Sequence, residues 1–269
     1  MIFFTNKRYK LGYTYLLLVS FYTRTEHMIS LGAVCSTVAA LKAFDLGKEA
    51  YPFDWTISRF PSLKETLKDD FKDFLNLAFL GMRDDYRAIV NKHGLQFVHD
   101  FPTIEKDYTQ AAIEHADEIG EQKLAHNYLS FLPAITRKYD RRIARFREAC
   151  NGKDKVYFFR HFGIDSKEEA QIICNIIKQQ YPSLDFLLII IGNNSSFDTP
   201  WNLPNIKNYF LNDSKVWNDV AEWQRIFSDL SLIPAAKRSY KEINSIYLEN
   251  LCKNCDYCTL KTKQMKKQL

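Results

Sequence analysis

Cys35, Asp54 and His99 are residue types that can run acyl-transfer chemistry, and each sits beside a signal for a turn or an element boundary. Cys35 follows Gly32 in what reads as the opening turn of a helix. Free backbone N–H groups and the positive end of the helix dipole favour a thiolate there, the form in which cysteine is a nucleophile. A small buried apolar residue would satisfy the same spacing. His99 is the natural partner, because a near-neutral imidazole can take the thiol proton and return it to a leaving group; a structural histidine at a strand end is its other reading. Asp54, in the tight Pro52-Phe53-Asp54-Trp55 segment, fits a third member that orients the imidazole, or a carboxylate that caps its own turn. Asp100 is adjacent to His99, and neighbours on a strand point to opposite faces, so it can orient His99 only if the strand has ended.

A second group of residues could hold an anion. Arg141 and Arg145 lie four apart on one helix face, and Lys138 and Arg142 four apart on the next. Such pairs can clamp a phosphate or carboxylate, or can neutralise Asp140 and Glu148 on a solvated face. Arg160 follows a buried strand, and the carboxyl ends of such strands are where open α/β sheets place ligands. Gly192-Asn193-Asn194-Ser195-Ser196 could line the same crevice. It is neither a Walker loop nor a GxGxxG fingerprint, so no nucleotide cofactor is expected. Cys252, Cys255 and Cys258 have metal-ligand spacing, but with three thiols and no nearby histidine they predict no metal site.

The elements that must position these residues follow from periodicity. Ile29 to Gly32 reads as a short strand or turn opening into a helix, with Val34, Val38 and Leu41 in helical period and Gly47 as a stop. Phe60-Pro61-Ser62 starts a second helix with Leu63, Leu67, Phe71, Phe74 and Leu75 on one face. Gly94 to Phe101 reads as a strand with His99 near its end. From about Ile104 to Ala149 the chain reads as helical in two pieces that break near Pro133. Lys155 to Arg160, then Ser166 to Gln180, then Asp185 to Gly192 make a β-α-β unit whose strands are buried on both faces. A short strand within Trp201 to Phe210 and a helix over Val216 to Leu230, packing through Trp217, Val220, Trp223 and Phe227, complete the pattern. The fold expected is α/β, a parallel sheet covered by helices in three layers, with a helix-rich N-terminal half.

Composition bounds the function. With 269 residues, 46% hydrophobic and 26% charged, the chain can bury a sizeable core and is unlike a disordered polymer. The net charge of +5 gives no strong nucleic-acid signal. Six cysteines without framework spacing suit a reducing, cytoplasmic compartment. The apolar run within residues 1–27 is too short to span a bilayer as a helix and lacks a small-x-small cleavage site. The expected organisation is a leader or misassigned start at 1–27, one α/β domain at 28–250, and a Lys/Cys-rich tail at 251–269.

Ile29-Ser30-Leu31-Gly32-x-x-Cys35, Tyr51-Pro52-Phe53-Asp54-Trp55, Phe97-x-His99-Asp100-Phe101, Lys138-Tyr139-x-Arg141-Arg142-Ile143-x-Arg145-Phe146 and Phe158-x-Arg160 occur in that order. Together they resemble a bacterial and viral family labelled as papain-like cysteine peptidases, over about Ile29 to Trp223. The resemblance implies Cys35 as nucleophile, His99 as general base, Asp54 or Asp100 as orienter, and a peptide or acyl substrate passing through a thioester. Trp55, Arg141, Arg142, Arg145 and Arg160 are then the expected substrate contacts. The competing expectation is a transferase or binding protein for an anionic or sugar-containing ligand held by the arginines, with Cys35 structural.

Overall fold

The computed structural model describes residues 26–84, 86–104, 123–125, 127–211, 220–232 and 238–251. Four strands form the central sheet: β1 (His27–Ser30), β7 (Val156–His161), β8 (Phe186–Gly192) and β9 (Ile206–Phe210), in the order β1-β7-β8-β9. All three pairings are parallel, with Ser30 opposite Phe159, His161 opposite Ile191 and Gly192 opposite Phe210. Side chains alternate along a strand, so each strand feeds two cores. Ile29, Phe158, Leu188 and Ile190 enter one hydrophobic cluster, while Met28, Phe159, Ile189 and Ile191 enter the other.

Helices cover both faces, which gives the three layers predicted from the sequence. On the first face lie α2 (Phe60–Lys68), α3 (Leu132–Asn151) and α4 (Lys167–Gln180), packing through Leu63, Leu67, Phe146, Ile173 and Ile177. On the second lie α1 (Ser36–Ala43), α5 (Ala221–Asp229) and α6 (Tyr240–Asn250), packing through Ala39, Ala40, Trp223, Phe227 and Tyr247. The β7-α4-β8 unit is the β-α-β unit read from the sequence. Ser166 caps α4 by accepting from the Glu169 N–H at 3.2 Å, and Glu168 and Glu169 place negative charge in the first turn.

Outside the sheet, local backbone decided what periodicity did not. α2 stops at Lys68, because Asp70, Phe71 and Asp73 take positive φ. Phe71, Phe74 and Leu75 remain buried, delivered by turns rather than by the expected helix face. Pro133 lies in the first turn of α3 and starts that helix instead of breaking it. A small antiparallel sheet joins β2 (Gly81–Met82), β3 (Ile89–Val90) and β4 (Gln96–Phe97), and a two-stranded ladder joins β5 (Thr103–Ile104) to β6 (Lys123–Leu124). The expected strand through His99 therefore ends at Phe97, and residues 98–100 form a turn. Trp217 and Cys252, Cys255 and Cys258 lie outside the described residues. No helix among the described residues is long and apolar enough to cross a membrane.

Candidate active site

Two consecutive left-handed residues, Gly32 (φ 76°) and Ala33 (φ 74°), turn the chain from the carboxyl end of β1 into α1. The turn is tight: a Cβ on Gly32 would lie 2.9 Å from Ser58 Oγ and 3.1 Å from the Phe53 carbonyl oxygen. The Ala33 N–H donates to Ser58 Oγ at 3.2 Å. This geometry leaves Cys35 at the N-cap of α1, 3% exposed, with no acidic residue in the helix's first turn to oppose a thiolate.

Arg160 locks this turn from beneath. Its Nη1 donates to the Leu31 carbonyl at 2.6 Å and to Ser58 Oγ at 2.7 Å, and its Nη2 to the Ser58 carbonyl at 2.5 Å. Gly163 (φ 66°) is needed above it, since a Cβ there would lie 2.7 Å from Nη2. Desolvation pulls the guanidinium pKa down to about 9, with Asp165 and Glu169 opposing, so it is still cationic at neutral pH. Arg160 is fully buried. Its guanidinium is taken up by Leu31 and Ser58, joining the ends of β1 and β7 to the segment around Ser58.

The Tyr51–Ser58 segment carries the next two residues. Asp54 is 3% exposed and accepts from the Tyr51 N–H at 3.0 Å, closing its own turn. Burial pushes its carboxyl up to about 6, against the Tyr51 hydrogen bond and the charges of Arg142, Lys42 and Arg145, which lower it. Trp55 then takes a left-handed conformation (φ 64°), a strained state for a bulky residue. Ile57 pairs with Gln96 through N–H···O bonds of 3.1 and 2.9 Å. That bridge brings the Trp55 ring edge-on to the His99 ring, with centroids 6.0 Å apart. Trp55 also packs against the cluster that contains Cys35, and Lys42 Nζ stands 4.8 Å over its ring. His99 is exposed.

The remaining expected residues separate. Asp100 presents a side chain 2% exposed to α3, accepting from Lys138 Nζ and, at 2.7 Å, from Tyr139 Oη. Its position next to His99 is thus combined with an anchoring role toward α3. Arg141 is exposed, and Arg145 is half-buried with its Nε donating to the Arg141 carbonyl at 3.3 Å. Arg142 is buried over the Tyr139 ring at 5.1 Å, and its Nη1 has no hydrogen-bond partner among the described residues. Of the four expected arginines, Arg142 and Arg160 are buried, Arg145 is half-buried and Arg141 is exposed. Among the described residues no group of three or more His, Cys, Asp or Glu side chains is placed to hold a metal ion.

One residue at the carboxyl end of the sheet was given no role by the sequence. His161, the last residue of β7, is fully buried, and its Nδ1 lies 2.6 Å from Ser36 Oγ at the first position of α1. It stacks on Phe162 at 3.7 Å and meets Trp223 edge-on at 5.5 Å. Strand parity is the signal that could have found it: Arg160 faces the α2/α3/α4 layer, so residue 161 must face α1.

A model of the family described as "putative papain-like cysteine peptidase" matches residues 26–196, more than half of the chain. The protein belongs to this family. The matched span carries Cys35, Asp54, Trp55, His99, the α3 arginines and Arg160, and it runs from β1 through β8. In this cysteine-peptidase family member, β9, α5 and α6 lie beyond the match yet complete the face on which Cys35 packs. No curated protein and no solved structure matches the chain.

Proposed function

We infer that the protein is a cysteine-dependent hydrolase, a peptidase or acyl hydrolase, with Cys35 as nucleophile and His99 as general base. The observation that carries this reading is Trp55, which packs on the cluster holding Cys35 while its ring meets His99 at 6.0 Å. Membership in the family supports it independently.

In the proposed reaction His99 takes the proton of the Cys35 thiol, and the sulfur's electron pair forms a bond to the acyl carbon of an amide or ester. The tetrahedral oxyanion collapses, the bond to the leaving group breaks, and the imidazolium returns the proton to that group. A thioester remains. Water, deprotonated by His99, attacks it; the carbon–sulfur bond breaks, the imidazolium returns the proton to the Cys35 sulfur and the acid product leaves. The first turn of α1 favours the thiolate electrostatically. Asp54 and Asp100 are the proposed orienting carboxylates, Asp54 through the Trp55 turn and Asp100 from its position beside His99.

Alkylation tests the reading. The rate of Cys35 modification by iodoacetamide, followed by peptide mass spectrometry against pH, should have its midpoint well below the free-thiol value of about 8.5. His99→Ala should slow it at neutral pH by about tenfold or more. A wild-type Cys35 that resists labelling in the native protein would make it a structural thiol and end the proposal.

A further inference from the structure

Lys42 from α1 and Arg142 and Arg145 from α3 all act electrostatically on the Asp54 carboxyl, and Lys42 also meets the neighbouring Trp55 ring. The carboxyl they face is 3% exposed and buried in its own turn. Arg142 is itself 8% exposed, with Nη1 lacking a hydrogen-bond partner among the described residues. Lys42 is exposed, and its Nζ stands 4.8 Å over the Trp55 ring whose edge meets His99. Lys42 also follows Cys35 by seven residues, two helical turns, so the two share one face of α1 about 10 Å apart along its axis. The Cα–Cβ bonds of a helix lean toward its N-terminus, the end at which Cys35 lies.

We propose that this site selects acyl substrates carrying an anionic group, a carboxylate in the acyl part or close to the scissile bond, and that Lys42 is a specificity-determining residue. Trp55 holds the ammonium on its face by a cation–π contact, so the charge stays beside the ring whose edge meets His99 instead of sweeping the solvent. Arg142 and Arg145, carried by α3, add to the positive field at the Asp54 carboxyl. The proposal deepens the hydrolase reading and rests on Cys35 being its nucleophile.

Two alkylating reagents of similar size separate charge selection from thiol reactivity. Iodoacetate is an anion and iodoacetamide is neutral; with either, the thiolate sulfur displaces iodide from carbon to give a thioether. A change in thiolate population alters both rates equally, so the ratio of the iodoacetate rate to the iodoacetamide rate reads the local field alone. At about 10 Å, a single charge changes the encounter with an anion by roughly two- to fifteenfold between water-like and protein-surface screening.

The ratio is measured on the full chain at Cys35. Lys42→Gln should lower it by that factor, Lys42→Arg should restore it, and added salt should shrink the difference. A ratio unchanged in Lys42→Gln, with Cys35 still labelled by both reagents, overturns the anionic-substrate inference and leaves the hydrolase reading standing. Absence of labelling by either reagent in the wild type overturns both.

Discussion

At the residue scale the informative side chains are those that do two things. Asp54 closes a turn through the Tyr51 N–H and also faces three cations, yet burial dominates and raises its carboxyl to about 6. Because the folded value lies above the unfolded one, near 3.8, the folded state binds the proton more tightly. The resulting stabilisation is fully present below about pH 4 and is lost as the pH rises through 6, a change of roughly 3 kcal/mol for this group. Asn at this position keeps an oxygen for the Tyr51 N–H and cannot ionise. Asp54→Asn should therefore match the wild type in urea denaturation near pH 4 and exceed it by roughly 2–3 kcal/mol above pH 7. A difference that does not vary with pH would mean that Asp54 has the same pKa in the folded and unfolded states. Arg142 is buried as well, which residue type alone on an arginine-rich helix did not reveal.

At the element scale the site depends on how strand ends are tied. The guanidinium of Arg160 joins the Leu31 carbonyl at the end of β1 to the Ser58 hydroxyl and carbonyl. Replacing it by methionine leaves the Leu31 and Ser58 carbonyls without that donor, while Ser58 Oγ keeps the Ala33 N–H. Each unpaired carbonyl costs about 1–3 kcal/mol, so Arg160→Met should lose at least about 2 kcal/mol in equilibrium denaturation. Partial loss should be visible first as slower Cys35 labelling, since the Gly32–Ala33 turn that aims α1 loses its support. A variant that keeps wild-type stability would show that solvent or a shift of the loop replaces the guanidinium. On the opposite face the Ser36–His161 contact does the matching work for α1, anchoring its first turn to the last residue of β7.

On the scale of the whole molecule, β1 pairs with β7 across more than a hundred residues, with His27 opposite Val156. Among the described residues β7 and β8 are central, each paired on both sides, whereas β1 and β9 are edges. Amide exchange should follow that order. Residues of β7 and β8 should exchange only by global unfolding, and β1 and β9 should open at lower free energy. Hydrogen-exchange mass spectrometry on peptides covering 27–31 and 156–161 tests this, and equal protection in both would show that β1 does not open apart from the central strands. The motion matters for function, because opening of β1 displaces the turn that presents Cys35.

Much of this was legible in the sequence where the physics is local. The buried runs at Val156–His161 and Phe186–Gly192, with a capped amphipathic helix between them, fixed the parallel sheet and its helical cover. Gly32 before Cys35 marked a turn into a helix, since a left-handed position there tolerates no Cβ. The ordered motifs from Ile29 to Arg160 identified the family. What remained hidden depends on contacts between distant segments: the Ile57–Gln96 bridge that brings Trp55 to His99, the burial that turns Arg160 inward, and the pairing of His161 with Ser36. Side-chain type and spacing determine which groups can ionise, attack or cap a helix. Which of them face one another is set by strand order and by the positive-φ turns at strand ends, where backbone strain is held by packing from elements far away in the chain.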